Sequence, residues 1–364
     1  MDDPVSHTPD PAVVRIPRDT VVVDPTTDPR WAELVGSRES SVFQSPAWAR
    51  VLSSTYDFPL RANVIVDDQG APEAGLSYAE IADFLDPRLS SLPFSDYCDP
   101  IAPDEAVWHA LVDDLLAQGR RFDLRCLDND IPASDRRFAE VGRAAWHGAD
   151  LERETDDIWM SLHSSARRAI RKADAAGVTV RVASTREDLR TFFQLHLQVR
   201  KYKYGLLAQP LQFFEHIWSE FMEQERGFLL LASLDGKAVG GILFLEWQDT
   251  LYYKFNASDI STLPARPNDR LIWEGIQMGK SRGMRLLDFG LSDLEQEGLV
   301  RYKQKYATEE KVITQLRHTP PGGPSDADRE GRRMLRDLTA VLVHEDVPDE
   351  ITAKSGDLLY RYFT

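Results

Sequence analysis

The chain has 364 residues, of which 42% are hydrophobic and 28% charged, as in a soluble globular protein long enough for two domains. The formal net charge of −16 argues against a general affinity for nucleic acid. No run of about eighteen apolar residues occurs, and the acidic N-terminus does not resemble a signal peptide. We therefore expect a cytoplasmic protein without membrane insertion.

The charge is distributed unevenly along the chain. Residues 1–150 carry a net charge of −14, whereas residues 151–364 carry −2 and residues 160–205 carry +7. The sequence therefore predicts a local basic face on an acidic protein. Such a face can bind a few phosphates without holding duplex nucleic acid in general.

The cysteines and histidines give no sign of a metal or a nucleophilic centre. Cys98 and Cys126 are too few for a disulfide framework, and their spacing is not that of a metal site. No histidine is paired with either thiol in the sequence, so a cysteine nucleophile is not expected. His163, His196 and His318 are isolated and are better explained as fold residues. We expect no metal and no cofactor.

The first part of the chain predicts a mixture of helices and strands. Ser45 is suited to cap a helix that has Pro46 at its first position. Residues 1–12 are polar and rich in proline, which predicts a disordered tail. The other predicted elements are strands at 15–23, 60–66, 74–81 and 122–127 and helices at 28–37 and 106–119.

The second part has a cleaner pattern, with the order β-α-α-β-β-β-α-β-(short α)-β. Ser184 and Glu187 have the spacing of a capping box for a helix that continues to residue 200. Three strands joined by short turns predict an antiparallel meander. The predicted helices span 164–176, 210–225 and 266–283, and the predicted strands span 178–183, 228–234, 238–247, 250–257, 285–290 and 311–317.

These patterns predict an α/β protein with two domains of similar fold. We place the first domain at residues 13–150 and the second at residues 151–320. Residues 321–364 are predicted to form a linker, a helix at 328–344 and an aromatic tail. Because a free tail would not keep so many apolar side chains, we expect this segment to pack back on the first domain.

The element order resembles the GNAT acyltransferase fold. Several stretches are similar to one branch of that fold, the Fem-type aminoacyl-tRNA-dependent transferases, which carry two GNAT domains in tandem. The resemblance extends over most of the chain. The stretches that carry it are residues 43–48 (FQSPAW), 165–173 (SARRAIRKA), 199–205 (VRKYKYG), 287–290 (LDFG) and 298–307 (GLVRYKQKYA).

The last of these stretches holds the residues to which the resemblance assigns the chemistry. It places two lysines among tyrosines directly after a predicted strand, where an ammonium can meet charge and a ring can stack. The resemblance implies that Lys303 stabilises the oxyanion and that Tyr302 stacks on the terminal adenosine of the tRNA. A solvated helical turn with Lys303 at the surface is the alternative.

Other residues are assigned to substrates. The resemblance implies that Arg200 binds an anion of the acceptor substrate, with Lys203, Asp288 and Trp48 as further substrate-binding residues. Cations near a helix C-terminus are also stabilised by the helix dipole, so Arg200 and Lys203 have a structural explanation as well. Asp288 is equally well explained as a structural residue, and no general base is evident.

A group of basic residues is predicted to contact the acceptor end of tRNA. Arg167, Arg168, Arg171 and Lys172 are spaced so that they share a helical face, and Lys305 can bind a further phosphate. An ordinary solvated face explains the same pattern.

Two observations bear on the substrates. The turn at residues 258–269 has no glycine and contains two prolines, so it is a poor cradle for the pyrophosphate of coenzyme A. Leu52 stands where members acting on cell-wall precursors tend to carry a phosphate-binding lysine, which favours a peptide-like metabolite over a peptidoglycan precursor.

The leading hypothesis is therefore an aminoacyltransferase that makes an amide from aminoacyl-tRNA and an amine. A first alternative is an N-acyltransferase that uses acyl-CoA or acyl-carrier protein. A second is a non-enzymatic GNAT pair that binds RNA or a peptide.

Overall fold

The computed structural model describes residues 19–364, so the predicted tail at 1–12 and the start of the first predicted strand lie outside the described residues. The described strands are β1 (Asp19–Val23), β2 (Leu60–Val66), β3 (Pro72–Ile81), β4 (Arg88–Ser90), β5 (Arg121–Cys126), β6 (Ala139–Asp150), β7 (Thr179–Val182), β8 (Gly227–Leu234), β9 (Lys237–Trp247), β10 (Thr250–Ser258), β11 (Leu286–Asp293) and β12 (Glu309–His318).

Helices cover both faces of these strands. They are α1 (Pro29–Ser37), α2 (Pro46–Tyr56), α3 (Glu105–Ala117), α4 (Ile131–Ser134), α5 (Thr155–Ser161), α6 (Ser164–Ala175), α7 (Arg186–Gln198), α8 (Leu211–Ile217), α9 (Pro267–Ser281), α10 (Glu297–Lys303), α11 (Asp326–Leu342) and α12 (Asp349–Leu359).

Several helix signals in the sequence are confirmed. The Ser45 side chain accepts a hydrogen bond from the Trp48 backbone N–H, and Pro46 is the first residue of α2. The capping box of α7 is shifted by one residue from the prediction, because Thr185 and Asp188 form it. The helix predicted at 210–225 is divided: α8 ends at Ile217 and a π-helical turn follows.

Two described strands had no counterpart in the sequence analysis, the three-residue β4 and the long β6. Strand β6 spans twelve residues and lies at the centre of the sheet, between β12 and β11. Its first half is largely exposed and its second half is buried, so its side chains do not alternate as a half-buried strand would. It also contains two glycines and four alanines, which are weak strand formers.

The twelve described strands form a single sheet in the order β1-β2-β3-β4-β5-β12-β6-β11-β10-β9-β8-β7. Each half contains one parallel pair, β4 with β5 and β10 with β11. β12 pairs with β5 and β6, and β6 also pairs with β11, so each half contributes its last strand to the other. The division at residue 150 stays a prediction, since these two strands join the halves into one sheet.

The C-terminal segment contacts both halves of the molecule. The Asp86 carboxylate accepts hydrogen bonds from Ser325, which caps α11. Lys201 and Asp349, at the start of α12, form an ion pair of 2.8 Å. The Tyr360 ring lies 6.3 Å from the Tyr56 ring of α2. The segment therefore closes over the seam where α2 and α8 pack together.

Candidate active site at the fork between β10 and β11

The two strands of the parallel pair in the second half diverge after a short contact. β10 and β11 pair only from Thr250 and Leu286 to Tyr252 and Asp288. Beyond that point β10 stays with β9, and β11 stays with β6 after an irregularity between Asp288 and Leu291. A fork therefore opens where both strands continue toward their carboxyl ends, the usual side for a ligand site in such sheets.

Lys303 lies at this fork. It is the last residue of α10, and its side chain is buried with 4% of the residue exposed. The Nζ atom donates hydrogen bonds to the carbonyl oxygens of Gly290 at 3.2 Å and Leu291 at 2.9 Å. Burial lowers the pKa of Lys303 to about 8, against the opposing effect of nearby Asp96 and Asp288. The ammonium has three N–H groups, so one remains for a ligand.

Lys303 belongs to a set of four charged side chains, which we call the charge cluster: Asp96, Lys254, Asp288 and Lys303. Lys254 Nζ and Asp96 Oδ1 form an ion pair of 2.7 Å. The same ammonium lies 4.5 Å from the centre of the Phe43 ring, a cation–π distance. Two positive and two negative groups thus balance one another within a largely apolar environment.

Asp288 is held by donors from both halves. Tyr97 Oη donates to Asp288 Oδ2 at 2.6 Å, and the backbone N–H of Gly290 donates to the other carboxylate oxygen. Burial raises the pKa of Asp288 to about 6, although the hydrogen bond from Tyr97 opposes this effect. Gly290 has a φ of +65°, and a Cβ at this position would overlap Asp96. The glycine is therefore required both by its conformation and by the close approach of the carboxylate.

A cavity of about 560 Å³ lies beside the fork, and we call it the fork cavity. Tyr302 of α10 and Tyr253 of β10 form part of its wall. These tyrosines directly precede Lys303 and Lys254 in the sequence. Lys303 is not among its lining residues. The rest of the wall is Val199, Lys203, Tyr204, Asn256, Ser258, Ile260, Leu263, Arg266, Pro267, Asn268, Asp269, Gln296, Gly298 and Leu299.

The N-terminus of α9 borders the fork cavity, and a carboxylate side chain of the helix itself lies there. Asp269 lies in the first turn of α9 and is buried, and Tyr306 Oη donates to its carboxylate at 2.5 Å. Pro267 at the first helical position has no N–H to donate. A carboxylate therefore occupies the region where a helix N-terminus would otherwise attract a phosphate.

The residues predicted to bind substrate lie in different environments. Lys203 is exposed and lines the fork cavity, and its Nζ lies 5.0 Å from the Tyr204 ring. Arg200 Nε donates to the carbonyl oxygen of Leu207 at 3.0 Å. Trp48 is fully buried beside Lys254. The structure therefore brings Asp288 and Trp48 to the charge cluster and Lys203 to the fork cavity.

The residues predicted to contact tRNA lie on α6, apart from Lys305. Arg167 donates to the carbonyl oxygen of Met160, and the Arg171 guanidinium lies 5.4 Å from the Trp159 ring. Arg168 and Lys172 are exposed.

Lys305 adjoins the fork cavity, because its Nζ lies 5.2 Å from the centre of the Tyr302 ring. None of the four basic residues of α6 is among the residues that line the cavity.

Three members of this site escaped the sequence analysis. Asp96 and Tyr97 lie in the segment after β4, and Lys254 lies within β10. A lysine between Tyr253 and Phe255 in an apolar strand is the one signal that the sequence offered, because such a side chain needs a buried partner.

Comparisons with known proteins agree with this architecture. Residues 160–304 match the model of the acetyltransferase (GNAT) domain. The crystal structure of FemX superposes with a TM-score of 0.63 at 14% identity, over 87% of this chain and 99% of FemX. The fold is a Fem-type tandem GNAT fold.

Two further structures share this fold. L-PGS from Bacillus licheniformis has a TM-score of 0.55 at 12% identity, over 87% of this chain and 97% of that one. A tandem GNAT protein from the clavulanic acid biosynthesis pathway has a TM-score of 0.55 at 11% identity, over 85% of this chain and 99% of that one. No curated protein matches the chain in sequence.

Within residues 19–364 we find no group of three or more histidine, cysteine or acidic residues that could hold a metal ion. Cys98 and Cys126 are both buried free thiols. None of the helices in the described part of the chain is long and apolar enough to cross a membrane.

Proposed function

We propose that this protein is an aminoacyltransferase that moves an amino acid from aminoacyl-tRNA to an amine and so forms an amide. The observation that carries the proposal is the buried Lys303 ammonium at the fork of a GNAT sheet. The donor ester is already activated, so the enzyme needs no nucleophile of its own. It has to orient the two substrates and stabilise the charge that develops.

The proposed reaction balances without a cofactor. The amine nitrogen forms a bond to the ester carbonyl carbon, and the carbonyl oxygen becomes an oxyanion. The C–O bond to the ribose then breaks, and the proton lost by the amine neutralises the departing ribose oxygen. The third N–H of Lys303 is suited to the oxyanion, because the Gly290 and Leu291 carbonyls hold the other two. We assign to Tyr302 a stacking contact with the terminal adenosine.

The N-terminus of α9 favours this donor over coenzyme A. A pyrophosphate at that position would face the buried Asp269 carboxylate and would lack an N–H donor at Pro267. An aminoacyl ester brings no pyrophosphate to the same place. The acyl-CoA alternative predicts that coenzyme A raises the melting temperature of the protein, whereas we expect no shift.

The acceptor that we propose is a peptide-like metabolite. Leu52 is fully buried in α2, so it does not supply the phosphate-binding group expected for a cell-wall precursor. Arg200, Lys203 and Asp288 are proposed to bind the acceptor, and the basic side chains of α6 with Lys305 are proposed to bind the tRNA acceptor end. L-PGS and FemX, whose folds are similar, support the choice of a transferase.

The experiment combines the protein with mixed charged tRNA and an extract of small molecules, and mass spectrometry identifies amide products. We expect products that disappear when the charged tRNA is treated with ribonuclease. Products that persist after ribonuclease treatment would contradict the tRNA donor. Products that require acyl-CoA would assign the site to the alternative acyltransferase.

A further inference from the structure

Two neighbouring strands of the sheet, β5 and β12, turn polar side chains to one face. On β5, Phe122 and Leu124 point into the core, so Arg121, Asp123 and Arg125 point to the opposite face. The cross-strand partners of Asp123 and Arg125 on β12 are Arg317 and Gln315. Side chains that face each other across a strand pair lie on the same side, so arginines accumulate there.

This face lies within a pocket of about 210 Å³, which we call the arginine pocket. Its charged lining consists of the four arginines Arg121, Arg125, Arg317 and Arg332 and one acid, Asp123. The other lining residues are Ser90, Ser91, Leu92, Pro93, Phe94, Ser95, Leu124, Val141, Gln315, Leu316, Phe363 and Thr364. The walls come from six parts of the chain, so the pocket is a concave site and not a row of surface arginines.

The positive charge of this pocket is only partly compensated. Asp123 is shared, because it pairs with Arg121 at 2.8 Å and with Arg317 at 2.5 Å. Arg332 pairs with Asp328 at 2.8 Å, and Arg125 donates to the carbonyl oxygen of Ser95 at 2.9 Å. The four guanidinium groups therefore have two carboxylate partners. A pocket with such an excess of positive charge favours an anionic ligand.

We propose that the arginine pocket binds a phosphate or diphosphate group carried by the peptide-like acceptor, at a different place from α2, where the buried Leu52 offers no phosphate-binding group. Guanidinium groups match phosphate oxygens in bidentate geometry. The volume suits one or two phosphoryl groups, whereas a nucleic-acid strand needs an extended basic groove. This inference rests on the proposed function for the identity of the acceptor, but the binding of the anion does not.

The position of the pocket connects it to the charge cluster. Ser95 lines the pocket, and Asp96, the next residue, pairs with Lys254. Tyr97 then donates to Asp288. Consecutive Cα atoms are about 3.8 Å apart, so the wall of the pocket and the charge cluster belong to one short segment. An acceptor anchored by its phosphate is thereby held near the fork.

The test is a calorimetric titration of the protein with inorganic pyrophosphate at low ionic strength. We expect saturable binding at one site, weakened about tenfold by Arg317→Gln and by Arg125→Gln, because each removes a charge-assisted hydrogen bond. The control is Arg190→Gln, which removes an exposed arginine of α7 that pairs with Glu187. No saturable binding, or an equal loss in the control variant, would overturn the proposal.

Folding and function are tested separately. Thermal melts of both variants check that they fold, and Arg125→Lys keeps the charge but loses the bidentate geometry, so partial weakening is expected. A loss of tRNA affinity in Arg317→Gln equal to its loss of pyrophosphate affinity would assign the pocket to RNA and reject a small-molecule acceptor. Pyrophosphate binding without any transfer from tRNA would leave the pocket standing and defeat the proposed function. Transfer from tRNA without pyrophosphate binding would support the proposed function and overturn the proposal for the arginine pocket.

Discussion

The charge cluster and the arginine pocket share the segment after β4, where Ser95 lines the pocket and Asp96 belongs to the cluster, yet their charge balance differs. The charge cluster has two lysines and two aspartates, and Lys254 and Lys303 are both nearly inaccessible to solvent. The arginine pocket has four arginines for one lining aspartate and stays partly exposed.

The difference indicates two kinds of site. Buried charges that balance one another support the fold and place a charged group without any ligand, because each compensates the desolvation of its neighbour. An excess of positive charge in an open pocket is neutralised only when a negatively charged ligand is bound. We therefore interpret the charge cluster as a part of the site that is preorganised without a ligand, and the arginine pocket as a ligand-binding site.

The largest expected effect comes from unbalancing the charge cluster. Lys254→Met removes the partner of Asp96 and leaves that carboxylate without its ion pair. We expect the free energy of unfolding in urea to fall by about 3 kcal/mol. The double variant Asp96→Asn with Lys254→Met removes both charges and is expected to recover most of that loss. A double variant as unstable as the single one would show that the two charges are not coupled.

The next effect concerns catalysis. Lys303→Met keeps the side-chain volume and removes the ammonium, so kcat for amide formation should fall by about 10²–10³-fold, as when an oxyanion donor is lost. The matched control is Lys237→Met, at the exposed lysine that begins β9. Circular dichroism should show both variants folded. A Lys303→Met variant with the rate of the control would remove Lys303 from the mechanism.

The pH dependence of the same step gives a smaller and more specific test. Because burial lowers the pKa of Lys303 to about 8, the ammonium is largely protonated at pH 7 and largely neutral at pH 9. We expect kcat to fall about tenfold for each pH unit above about 8, since the neutral amine is a weak donor to an oxyanion. A rate that stays constant from pH 7 to pH 10 would contradict an ammonium role.

Sequence patterns predicted the fold well where local chemistry decides it. Ser45 with Pro46 marked the start of α2, and the boundaries of β2 were predicted at residues 60–66 as observed. Strand β6 was missed because its environment comes from β11 and β12, which are distant in the chain. The tandem GNAT architecture followed from the element order and the resemblance, and the superpositions confirm it.

The site was less accessible from the sequence. Lys303 was identified through a short block of similarity, and its assigned role stays a prediction. Asp96 could not be identified, because its partner Lys254 lies 158 residues away and no pattern near Asp96 marks it. Sequence spacing encodes helical and strand faces, whereas a balanced cluster of charges depends on how two halves of a sheet meet.

The smallest expected effect tests the exposed basic face of α6 against the arginine pocket. Arg168 and Lys172 lie one helical turn apart on solvent-exposed positions, so each is expected to contribute one phosphate contact. The double variant Arg168→Gln with Lys172→Gln should weaken tRNA binding about threefold and lower the slope of log affinity against log salt by about 1–2. Pyrophosphate affinity should stay unchanged, because neither residue lines the arginine pocket. An unaltered salt dependence would show that α6 is an ordinary solvated face, and the tRNA contacts would then have to lie elsewhere.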